Sequence, residues 1–333
     1  MSDEITVEFS DNPAFNQWLI ENYLVEIEEF EFPSSDVLYK MSPEKYYEAL
    51  ARYNADPKVH LSRIEDKFPN PIAFYFHQAT CNYQNDHHRL DLLKSCWESI
   101  VFFLFGLVVG EARHRSINLK ALGIKWATCC SNRLYDKLSI IENILDYAVK
   151  SGITFGCSDI IPISTIGLIK KLNQERNGFE HASAKTSSQQ QALYAELYPQ
   201  LEQVLRQLIK LEDVIVFRVY GAETPLYPRC EILNGCDLSG KKEIVRIQKD
   251  NYMEIVDYFN PGYIYAKVND EVFCLAPFIH FTQEVYETNA ILCFYKQDKG
   301  GKHQYEVVGK SQIKGFEKST FDVMENQLRS LVK

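Results

Sequence analysis

The residues whose types and spacing could do chemistry fall in one stretch, Glu175-Arg176-Asn177-Gly178-Phe179-Glu180-His181. It combines a fixed cation, a hydrogen-bonding amide and the side chain that titrates nearest neutral pH. Arginine grips two phosphate oxygens through parallel hydrogen bonds, and histidine moves a proton as general acid or base. Together they are a minimal kit for work on a phosphodiester. On a helix, Asn177 and His181 share a face because they are one turn apart. Arg176 and His181 lie about 140° apart around that helix, so they flank a groove rather than stack. Gly178 weakens such a helix by about 1 kcal/mol, which points to a bend or a close backbone approach at the motif. The plainer reading is that Arg176 and His181 are cations set favourably against a helix C-terminal dipole.

Helices must position these side chains. The first of the central group spans about His87 to Arg113, with Leu90, Leu93, Trp97, Ile100, Val101, Leu104 and Val108 on its apolar faces. It is apolar nearly all round from Ile100 to Val109, as a central bundle helix should be. That run is shorter than the ~20 residues a bilayer requires, so it reads as a buried core helix. A second helix is expected over Asn118–Cys130, and a third over Arg133–Val149, ended by Ser151-Gly152. After a loop to Pro162, a fourth begins near Ser164 with Ile166, Leu168, Ile169 and Leu172, and carries the motif in its C-terminal half. Ser183 to Gln190 reads as a turn, and a fifth helix as Gln191–Leu211.

From Val214 the apolar period changes from helix-like to strand-like. Strands are expected at Val214–Tyr220, Glu243–Gln248, Tyr263–Lys267, Glu271–Leu275, Phe278–Phe281, Ala290–Lys296 and Gln304–Val308. Asn269-Asp270 and Asp298-Lys299-Gly300-Gly301 are hairpin turns. A closing helix covers Ser319–Val332, with Phe321, Met324, Leu328 and Leu331 on one side. At the other end, Asn12-Pro13 opens an amphipathic helix through Phe15, Trp18, Leu19, Tyr23 and Leu24, and Val25 to Phe32 alternates like a short strand. Ser42-Pro43 starts a further helix running to about Tyr53, and Phe68-Pro69-Asn70-Pro71 is a boundary that excludes helix. The expectation is an α+β chain in three parts. These are an acidic N-terminal lobe (1–69), a helical bundle (70–212) and a β-rich accessory domain with a C-terminal helix (213–333).

Net charge is −9, so the whole molecule does not attract nucleic acid. Residues 1–36 hold ten acids and no Lys or Arg, which leaves the remainder at +1. The nine cysteines form no CxxC pair, and no basic segment followed by an apolar one stands at the start. The expectation is free thiols in the cytoplasm, with no signal peptide and no membrane association. His87-His88-Arg89 and Arg113-His114-Arg115 bracket the long helix without the acids or cysteines of a zinc site, so they read as solvated ends. Cys129-Cys130 reads as packing. Most of the 20 Tyr and 20 Phe are core, with strand tyrosines as candidates for base stacking. No P-loop, dinucleotide fingerprint, nucleophile elbow or zincin motif is present.

Arg176, a polar residue, then His181 after four intervening residues resembles the signature of HEPN domains, and the bundle from about Pro71 to Leu211 resembles theirs. The strands around Leu275-Ala276-Pro277-Phe278 and Leu292-Cys293-Phe294-Tyr295 are similar to a β-rich module that follows the bundle in some bacterial members. The resemblance implies a metal-independent endoribonuclease that needs no cofactor. Its substrate is RNA, cut by attack of the 2′-hydroxyl to leave a 2′,3′-cyclic phosphate and a 5′-hydroxyl. Arg176 would hold the scissile phosphate, His181 would act as general base or acid, and Asn177 would orient His181 or bind a phosphate oxygen. A homodimer with two motifs across one groove is implied, as is a role as toxin or antiphage effector with an antitoxin or defence-complex partner. Ser183 stands where some toxin members carry a tyrosine that their antitoxin modifies. The alternative is a non-catalytic HEPN-like module that scaffolds a defence or regulatory complex, with Arg176 and His181 left apart or Arg176 paired to Glu180.

Overall fold

A computed structural model describes residues 12–23, 35–174, 185–224, 227–244, 260–283 and 289–333. The fold is α+β, with a helical region followed by a strand-rich C-terminal part. The chain divides into two units, Met1–Arg63 and Ile64–Lys333. The second includes both the helices and the strands that the sequence sets apart as 70–212 and 213–333.

In the first unit, Asn12 caps helix α1 (Pro13–Trp18) by accepting the Phe15 N–H at 3.1 Å. Phe15, Leu19 and Tyr23 recur every fourth residue, so they face one way. They bury themselves with Leu38 of α2 (Ser35–Met41) and with Ala49 and Tyr53 of α3 (Pro43–Ala55). Trp18 donates its indole N–H to Asp56 at 2.7 Å. The expected α3 is present, although the Ser42 side chain does not cap it. The strand expected at Val25–Phe32 lies outside the described residues. Helix α4 (Pro57–Lys67) was not legible in the sequence, and the division between the units falls within it.

The second unit is organised around α6 (Asp86–His114). Asn85 caps it by accepting the His88 N–H at 2.9 Å. Every residue from Ile100 to Arg113 is buried. At 29 residues α6 is long and apolar enough to cross a membrane, but 83% of its most apolar window is buried inside the protein. The length argument made from Ile100–Val109 therefore holds for that run and not for the helix; burial is what marks α6 as core.

α6 packs against α5 (Asn70–Cys81), α8 (Leu134–Lys150) and the helix Ser187–Gln207. The expected helix 118–130 is instead a 3-10 turn at Lys120–Leu122 and a single turn α7 (Trp126–Cys129). Gly123 at φ +72° separates them, a backbone state that ends a helix. In the expected loop before Pro162 lies α9 (Gly156–Ile160). Its first N–H groups, on Gly156 and Cys157, donate to the buried Glu111 carboxylate at 2.7 and 2.8 Å.

The strands make two antiparallel sheets. One has the order β3-β2-β1-β4-β5, comprising Lys241–Ile244, Tyr227–Ile232, Ile215–Thr224, Tyr265–Val268 and Glu271–Cys274. The other runs β6-β7-β8-β9, comprising Ile279–Thr282, Ile291–Lys299, Lys302–Val307 and Ile313–Glu317. β2 and β9 were not expected. The strands close on α6: Phe102 stacks on Phe294 and Phe105 meets Phe278 edge-on. A buried Arg113 donates to the carbonyls of Cys274 and Ala276.

Candidate functional site

Arg176, Asn177, His181 and the bend or close approach expected at Gly178 lie outside the described residues. Their flanks are described. Helix α10 (Ile163–Gln174) buries Ile166, Ile169 and Leu172 and packs on α8, with Lys170 ion-paired to Glu142. The next helix, α11 (Ser187–Gln207), starts four residues before its expected position. A capping box sets that start. Thr186 Oγ1 accepts the Gln189 N–H at 3.4 Å, and the Gln189 side chain accepts the Thr186 N–H at 3.0 Å. Thr165, early in α10, donates to Gln207, at the end of α11, at 2.8 Å. The two helices are therefore neighbours, with the start of α10 beside the end of α11.

The start of α11 adjoins the start of α6. Asp86 accepts hydrogen bonds from Ser187 and, at 3.0 Å, from Gln191. His87, His88 and Arg89 follow on the first turns. Arg89 does not offer an open cation there. Its Nε donates to the Ala79 carbonyl at 3.0 Å, and its guanidinium lies 3.6 Å from the Tyr194 ring centre and 4.3 Å from that of Tyr83. Tyr83 is exposed, so this sandwich presents an aromatic face to solvent.

The other end of α6 is solvated only in part: His114 is exposed, as expected, and Arg115 is half-buried. Arg113 is buried. His114 contacts Glu271 at 3.0 Å, and Arg115 donates to Glu111 at 2.8 Å. Cys129 is buried as expected, and burial pushes its thiol to about 12 and that of Cys130 to about 11. Both stay protonated and weakly reactive near neutrality. Lys137 is the amine buried beside them; it lies 3.9 Å from the Phe105 ring centre, and desolvation lowers its pKa to about 7.

Two further histidines are buried. Burial lowers His280 to about 3, among the rings of Phe281, Tyr305, Phe316 and Phe321, so it is neutral and no general acid. His303 is locked between Asp298 and Glu325. Of the strand tyrosines, Tyr265, Tyr295 and Tyr305 are buried. Tyr220 is exposed, with the Lys242 ammonium 5.9 Å from its ring centre.

A cluster the sequence reading missed lies where α4 turns into α5. Glu65, His77 and Cys81 bring one ligand atom each to within 4.8 Å of one another. The legible signal was His77 and Cys81 four apart on a helix, which puts both on one face. Glu65 comes from another element and could be found only by folding the chain. Comparison of the chain with protein-family models, with curated proteins and with solved structures found no match.

Proposed function

We propose that this protein is a metal-independent endoribonuclease of the HEPN type, acting as a homodimer on RNA in the cytoplasm. What supports this reading is the motif itself, Arg176-Asn177 followed by His181, in a chain whose described helices before and after it, α10 and α11, pack on each other and on the α6–α8 bundle.

Arg176 binds the non-bridging oxygens of the scissile phosphate and neutralises the charge that grows on them. His181 removes the proton from the RNA 2′-hydroxyl, whose oxygen attacks phosphorus. The bond to the 5′-oxygen breaks, and that oxygen takes a proton from the histidine of the second copy across the groove. A 2′,3′-cyclic phosphate and a 5′-hydroxyl remain. Asn177 orients His181. Tyr83 over Arg89 and the exposed Tyr220 beside Lys242 are surfaces on which unpaired bases can stack. The resemblance of the motif to HEPN domains extends the proposal to a role as toxin or antiphage effector.

The test is cleavage of total RNA with EDTA present by wild type, Arg176→Ala and His181→Ala. Cleavage by wild type alone supports the reading. Equal cleavage by all three proteins contradicts it.

A further inference from the structure

We infer that Glu65, His77 and Cys81 bind a divalent cation of the zinc class, at a site separate from the phosphodiester chemistry of Arg176 and His181. His77 Nδ1 lies 3.1 Å from Glu65 Oε1, and Cys81 Sγ lies 3.9 Å from the same oxygen. Metal–ligand bonds of about 2.0–2.3 Å in a tetrahedron put neighbouring ligand atoms roughly 3.3–3.7 Å apart. The two separations from Glu65 straddle that range, and all three ligand atoms lie within 4.8 Å of one another, close enough to converge on one ion. The donor set is a thiolate, an imidazole and a carboxylate. Mixed sulfur, nitrogen and oxygen donors suit zinc and its transition-metal neighbours, whereas magnesium and calcium take oxygen.

The scaffold is held from outside the cluster. Cys236 donates its N–H to the Glu65 carbonyl at 2.7 Å, and Gly235 donates to Phe68 at 2.8 Å. Asn234 Nδ2 donates to the Lys67 carbonyl at 2.8 Å, and Asn70 Nδ2 to the Asp237 carbonyl at 2.6 Å. The segment after β2 thus fixes the α4–α5 corner, and with it the distance from Glu65 to the His77–Cys81 face. Such support limits the reorganisation that binding requires. Cys81 is exposed, and Glu65 and His77 are partly so, which gives an ion a path of entry and leaves a fourth position open to water.

Cobalt is the probe, because a tetrahedral Co²⁺–thiolate site absorbs in the near ultraviolet by charge transfer and in the visible. The full-length chain, freed of metal with a chelator, is titrated with Co²⁺ and then with Zn²⁺. The expected result is one Co²⁺ per chain with a charge-transfer band that Zn²⁺ abolishes. Cys81→Ser loses the band, and Cys130→Ser keeps it. His77→Ala weakens binding by at least the roughly tenfold that losing an outer-shell partner costs. No band in wild type, or an undiminished band in Cys81→Ser, overturns the site. RNA cleavage in EDTA is read separately on the same Cys81→Ser protein, so failure of one reading is not mistaken for failure of the other.

Discussion

His303 on β8 shows how single side chains tie the C-terminal part together. It is 1% exposed, and its two ring nitrogens lie 2.5 Å from Asp298 Oδ1 and 2.5 Å from Glu325 Oε1. Burial pulls its pKa down, but hydrogen bonds and charge from Glu325 and Asp298 outweigh this and raise it. Burial pushes the Asp298 and Glu325 carboxyls up, yet both are net lowered. Lys318, His303 and Tyr295 hold the first down, and His303 and Arg329 the second. A raised histidine pKa contributes stability that is full below the unfolded value of about 6.5 and is lost as pH rises through the folded value. A lowered carboxyl pKa contributes stability above an unfolded value of about 4, lost as pH falls through the folded value. The network is therefore strongest between roughly pH 4.5 and 6.5. His303→Ala is expected to lose about 2–3 kcal/mol near pH 6, with a smaller deficit at pH 9. Urea unfolding of both proteins at the two pH values reads this, and an equal deficit at both contradicts it.

Between elements, α6 lies tight against the strands. A Cβ on Gly110 would meet the Cys274 carbonyl oxygen at 2.9 Å, backbone that cannot swing aside. Gly110→Ala gains about 1 kcal/mol of helix propensity and loses about 1–3 kcal/mol to overpacking. A net destabilisation of about 1 kcal/mol, and at most about 2 kcal/mol, is expected in chemical denaturation, and a stabilised variant would show that the strands yield. Thr186→Ala removes the capping box and is expected to cost about 1 kcal/mol, read the same way. Elements were legible where one apolar period runs long. α6, α8 and most strands came from such runs. α4 was missed because its eleven residues are mostly polar, and β9 because Ile313–Glu317 is exposed or half-buried throughout. The helix expected at 118–130 failed at Gly123, where one left-handed residue outweighs the flanking propensity. α11 starts early because the Thr186–Gln189 box outweighs a polar run that reads as turn. For the candidate site, the motif residues and the His77–Cys81 spacing were legible. Glu65 was not, because its contact depends on a corner held by residues 234–237, far away in sequence.

For the whole molecule, charge is unevenly spread. The net −9 arises from residues 1–36, against a remainder of +1. If RNA is the substrate, that acid competes with it for cationic surface. Truncation is a poor test, because it strips Phe15, Leu19 and Tyr23 from the core of the first unit. Replacing Glu26, Glu28, Glu29 and Glu31 together with Gln keeps that core. This variant is expected to bind RNA more tightly at low salt, with the gain fading as salt screens it. Filter-binding at two ionic strengths measures both, and an unchanged affinity at low salt would remove the acidic segment from the account.

The most direct measurement is the chemistry of the cut ends. Fragments made by wild type in EDTA are expected to carry 2′,3′-cyclic phosphates and 5′-hydroxyls. Arg176→Ala and His181→Ala, folded as wild type, are expected to cut at least about a hundredfold more slowly. Fragments with 5′-phosphates, or cutting that stops when EDTA is added, would mean a different reaction at a different site.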